Sequence, residues 1–145
     1  MITMPRIFTF TILAALLLTF VGQAQAKVRS FNGFSIDVPD GWSVKDDKEN
    51  YTVIFMSPDE SSILTIAFFE NEGMSAEEHG KYFVEEWKGK DLRKLNDTTY
   101  QFLFKGDNGE AGRALVSVDK KDVLFITAIG ENAVMDGMIH SLKSR

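Results

Sequence analysis

The chain has 145 residues and a formal net charge of −5, with 44% hydrophobic residues and no cysteine. It is long enough for one domain with a single core, and its acidic balance, with no basic run, disfavours nucleic acid and anionic lipid as partners. The missing cysteine excludes disulfides, thiolate metal sites and cysteine nucleophiles.

Residues 1–26 differ in character from the rest of the chain. Arg6 is their only charge, an apolar run extends from Ile7 to Val21, and Gly22-Gln23-Ala24-Gln25-Ala26 closes the segment. A positive start, an apolar stretch and an A-x-A ending make a secretory signal peptide. Ala24 and Ala26 suit the small subsites of a signal peptidase, so cleavage is expected after Ala26, with Lys27 as the new first residue. The competing reading is a membrane anchor. A spanning helix needs about 20 apolar residues, whereas this run is shorter and contains Thr9, Thr11 and Thr19. Losing Arg6 takes the net charge from −5 to −6. With no cysteine to carry lipid, residues 27–145 are expected as one free domain in the periplasm or outside the cell.

Phe34-Ser35-Ile36-Asp37-Val38 alternates as a half-buried strand does. Pro39-Asp40-Gly41 is a turn, Trp42-Ser43-Val44 restarts a strand, and Asp46 to Asn50 is a polar bend. Tyr51 to Ser57 and Ser62 to Glu70 are strands apolar on both faces, which predicts cover on both faces. Ser75 and Glu78 are spaced as a capping box. Behind it, Gly80, Phe83, Val84 and Trp87 share one helical face. Gly80 there predicts close helix–sheet packing. Thr98–Lys105, Gly112–Asp119 and Val123–Ile129 read as strands joined by the turns Gly106-Asp107-Asn108-Gly109 and Asp119-Lys120-Lys121-Asp122. A second helix comes after Gly130, with Met135, Met138, Ile139 and Leu142 at helical spacing. The order is ββββαβββα. It predicts an α+β fold, a single mostly antiparallel sheet of about seven strands with two helices on its faces.

That order, with the phrase Phe34-Ser35-Ile36-Asp37-Val38-Pro39-Asp40-Gly41-Trp42, resembles the superfamily of PsbP-like and DcrB-like proteins. The resemblance spans essentially the whole of residues 27–145 and implies an α/β/α sandwich around an antiparallel sheet. Members include extrinsic subunits of photosystem II, bacterial periplasmic proteins and a binder of a nuclear-transport GTPase. Most act by binding another protein. The superfamily has no shared catalytic set, so no functional residue carries over. The lipid-bearing cysteine of many bacterial relatives is missing here.

The remaining candidates favour structural roles. His79 sits beside the first helix's apolar face, with no second metal ligand at i+4, and reads as a packing or boundary hydrogen-bonding residue. His140 lies four residues after Asp136, the spacing of a surface pair. Asp46, Asp47 and Glu49 enclose Lys48 and lack calcium-loop spacing, so they read as a solvated bend. Asn96-Asp97-Thr98 fits a glycosylation acceptor. No G-x-S-x-G elbow or phosphate loop occurs. Trp42 and Trp87 read as core, with interface anchors as the alternative. The expectation is a soluble, exported, non-enzymatic domain. It has no cofactor or metal, and it binds an unknown protein partner in the cell envelope or assists an envelope process. A small-molecule or ion carrier, with a cleft between sheet and helix, is the alternative. A hydrolase using His79 and His140 is the third reading.

Overall fold

In this computed structural model the described residues are 26–144. In chain order they form β1 (Ala26–Phe31), β2 (Phe34–Pro39), β3 (Ser43–Asp47), a 3-10 turn (Lys48–Asn50), β4 (Thr52–Met56), β5 (Ile63–Glu70), α1 (Ala76–Trp87), β6 (Lys90–Asn96), β7 (Thr99–Lys105), β8 (Ala111–Val118), β9 (Asp122–Ile129), α2 (Ala133–His140) and β10 (Lys143–Ser144). Of the expected cleavage residues, Ala24 lies outside the described residues. Ala26 and Lys27 begin β1, paired with Pro39 and Val38.

A seven-stranded sheet has the order β3-β4-β5-β9-β8-β7-β6, and a smaller one the order β1-β2-β10. All strand pairs are antiparallel. The fold class is therefore the expected α+β. The expectation of a single sheet needs correction. Strand β2 leaves the main sheet to pair with β1 and β10, and β6 takes a place in the main sheet instead. The reason lies in β2 itself, whose Phe34, Ile36 and Val38 are buried. That face lies flat on the main sheet as a second layer. Strand β6 reads Lys-Asp-Leu-Arg-Lys-Leu-Asn and is interrupted by register shifts. Charges and bulges suit an edge strand, because they discourage further pairing.

Residues paired across an antiparallel ladder point to the same face. On the first face, Val53, Phe55, Leu64, Ile66, Ile126 and Ala128 meet β2 together with Met135 and Met138 of α2. On the second, Phe102, Phe104, Val116, Val123 and Phe125 meet Phe83 and Val84 of α1. Each fully buried side chain of this size contributes roughly 1.5–3 kcal/mol. Helix α1 starts at the expected capping box, with Ser75 and Glu78 bonded reciprocally. It packs on β6, β7 and β8. Gly80 permits the approach, since a Cβ there would lie 3.1 Å from Leu92. Helix α2 ends at His140, so Leu142 lies beyond it rather than in its last turn.

The two layers are offset. The small sheet and α2 lie over β4, β5 and β9, whereas α1 lies behind β6, β7 and β8. Each face of the main sheet is thus covered over only part of its width.

Candidate docking surfaces

The open part of the second face lies on β4 and β5. Met56, Ile63 and Ile129 form one cross-strand row, and Ile54 stands in the next beside Thr65 and Thr127. The four aliphatic side chains are part-exposed. Among the described residues no helix packs over them. The expectation that β4 and β5 are covered on both faces is corrected for β4 and the start of β5, which α1 does not reach. The end of β5 is covered, with Ala67 in the second core and Phe69 against His79 and Phe83. The edge strand places Ser43 opposite Met56 and Lys45 opposite Ile54, and Asp47 opposite Thr52 in the row beyond. Beneath the apolar row the Thr65 and Thr127 hydroxyls are hydrogen-bonded to each other.

The strip continues to the end of α1. A cleft of about 770 Å³ there is lined by Trp87, Lys88, Phe104 and Ile129 among others. Trp87 meets Phe104 and Phe125 edge-on, with ring centroids 5.1 and 5.5 Å away. It is nevertheless 40% exposed. Its reading as core is therefore half correct, since one side packs and the other faces the cleft. Trp42 does pack against the first core.

A second cleft, of about 460 Å³, opens between the two sheets. Phe31, Phe34, Val53 and Phe68 wall it, with Tyr51, Asp46 and Lys48 at its margin. The β1–β2 turn presses on Phe68. Gly33 has φ +103°, and a Cβ there would lie 2.2 Å from the Phe68 ring. The acidic bend is built from separate tasks. Asp47 caps the 3-10 turn by accepting from the Asn50 backbone and side chain, at 3.3 and 2.8 Å. Asp46 faces the cleft.

His79 is buried between Phe69 and Phe83. Its Nε2 lies 3.0 Å from Asn71 Oδ1, which also accepts the Met74 N–H. An oxygen can only accept, so Nε2 carries the proton. Burial holds the imidazole below its ordinary pKa, and Glu78 acts in the opposite direction. His140 ends α2 on the other side of the main sheet, so the two histidines do not share a site. Among the described residues no ion pair joins His140 to Asp136, contrary to the spacing argument. Asn96 accepts from Thr98 in the β6–β7 turn and is exposed, as an acceptor sequence requires.

One pair escaped sequence reasoning. Arg113 donates to Glu131 through Nε and Nη2 at 2.9 and 2.7 Å, and through Nη1 to Gln101 at 3.3 Å. The partners are 18 residues apart, beyond the reach of any local spacing rule. The bidentate bond raises the Arg113 pKa and lowers that of Glu131. On Asp59, donors from Ser57 and Ser61 bring the carboxyl down to about 2.

No family model matches the chain, and no curated protein matches it. Solved structures do resemble it. The solution structure of cyanobacterial PsbP from Synechocystis aligns with TM-score 0.58 at 15% identity, over 85% of this chain and 93% of that one. A crystal structure from Bacteroides thetaiotaomicron aligns with TM-score 0.55 at 16% identity, over 85% of this chain. The match spans 49% of the Bacteroides chain, about half its length. At these identities the likeness is one of fold, and the fold of this chain is PsbP-like.

Proposed function

We propose that the domain is an exported, non-enzymatic docking module that holds a protein partner against the open half of its second sheet face. The observation that carries this reading is the part-exposed row Met56–Ile63–Ile129 with Ile54 beside it. A contiguous apolar patch on a sheet face is a surface that a partner covers. Trp87 at its far end supplies an aromatic anchor of the kind that dominates binding energy. Export rests on the leader in residues 1–26. Amino-terminal sequencing of the protein recovered from its host is expected to begin at Lys27, and a start at Met1 would refute cleavage.

A photo-crosslinking residue placed at Met56 tests the docking role in the native host. It is expected to give one reproducible protein adduct that a probe at Lys121 does not give, and Ile54→Asp is expected to abolish it. Absence of any adduct would sink the reading.

The cleft between the sheets favours a second reading, a carrier for a small aromatic or apolar molecule. Its volume of about 460 Å³ lies within the range of small-molecule sites. It lies between sheets, whereas the sequence placed the carrier's cleft between sheet and helix. A ligand held there raises the melting temperature, and Val53→Trp should remove that rise.

A further inference from the structure

The opposite face has an open part of its own, of different chemistry. Beyond the small sheet and α2, strands β8, β7 and β6 present the rows Arg113–Leu103–Lys90 and Leu115–Gln101–Arg93. Lys105, paired with Ala111, extends the same face. No residue paired into these rows is acidic. Arg113 is satisfied by Glu131 from the loop before α2. Among the described residues, Lys90, Arg93 and Lys105 have no ion-pair partner. A chain of net charge −5 thus places three unpaired cations on one half-face. The carboxylates nearest to them, Glu86 and Asp107 in one cleft and Glu60 and Glu110 in the next, come from outside the rows. Amid the cations Leu103 is 37% exposed and Leu115 is part-exposed.

We propose that this half-face docks an acidic polypeptide segment, with carboxylates reaching Lys90, Arg93 and Lys105 and an apolar side chain seated on Leu103. Charge complementarity selects the sign of the partner and accelerates encounter. The exposed leucine between the cations selects a polypeptide over a phosphate chain, because a phosphate backbone has nothing apolar to place there. The acidic remainder of the domain repels any polyanion longer than the patch, such as a nucleic acid or an anionic bilayer. Lys90, Leu103 and Lys105 border the cleft that Trp87 and Ile129 also line, so the two surfaces adjoin there, while Arg93 belongs to the cationic half-face alone.

The test titrates the ¹⁵N-labelled protein with a synthetic peptide of glutamates flanking a leucine. Vesicles of phosphatidylglycerol and a single-stranded oligonucleotide serve as the other probes. The expected result is saturable amide shifts confined to β6, β7 and β8. They should be weakened about tenfold in K90E/R93E/K105E, as the loss of three exposed ion pairs implies. These side chains are exposed, and a far-UV spectrum checks that the variant folds. If it does not, R93E alone is expected to weaken binding about threefold. Three outcomes overturn the proposal: shifts that are absent or centred elsewhere, unchanged binding by the charge-reversed protein, and tighter binding of vesicles or oligonucleotide than of the peptide through this face. A lost crosslink at Met56 with intact peptide shifts here would refute the docking module alone.

Discussion

At Gly130 the backbone has φ +69°, and a Cβ there would lie 2.0 Å from the Ser61 carbonyl oxygen. The glycine's own carbonyl accepts the Ser62 hydroxyl at 2.6 Å, and Asn132, the cap of α2, donates to that hydroxyl at 3.0 Å. The β4–β5 loop and the start of α2 therefore meet at a point with no room for a side chain. Gly130→Ala is expected to cost about 1–3 kcal/mol, read as a lower urea midpoint. His79 makes a pH-dependent contribution. Its pKa is lowered in the folded state, so the unfolded chain takes up the proton first as pH falls. Stability from the neutral ring is complete above its ordinary value of 6.5 and is lost as pH falls through the depressed folded value. His79→Gln is expected to flatten that acid limb in urea midpoints measured across pH. An unchanged slope would show that another group titrates.

Among the elements, α1 was the most legible. Its cap, apolar face and close-packed glycine are all local signals, and all appear in the structure. Ser75→Ala removes an exposed cap bond and is expected to destabilise the domain by about 1 kcal/mol. Strand β6 was illegible for the opposite reason. Its register is broken and Leu92 is its one residue packed against a core, so no alternation of apolar residues announces it. The two-residue β10 exists only because β2 offers it an edge, a tertiary fact with no sequence signal. The apolar face of β4 and the start of β5 was visible as residues and misread as covered, whereas Ala67 and Phe69 at the end of β5 are covered as expected. Periodicity reports which side chains share a face, and says nothing of whether a neighbouring element reaches them.

Across the whole molecule, one sheet serves two cores. Phe55 belongs to the first and Phe125 to the second, and β9 contributes to both through alternate residues. Neither half can lose its packing without disturbing strands that the other needs. Phe55→Ala and Phe125→Ala are each expected to cost about 3–5 kcal/mol. Both should leave a single unfolding transition by fluorescence and circular dichroism alike. Two separate transitions would show that the cores unfold independently.

The offset of the covering layers has one more consequence. The apolar opening lies on one side of the main sheet, toward β4, and the cationic opening on the other, toward β6. The two openings adjoin at the end of α1, where Trp87 and Ile129 line one cleft with Lys90, Leu103 and Lys105. Two guests that both reach this cleft would compete for it, whereas guests confined to Ile54 on one side and Arg93 on the other would load in any order.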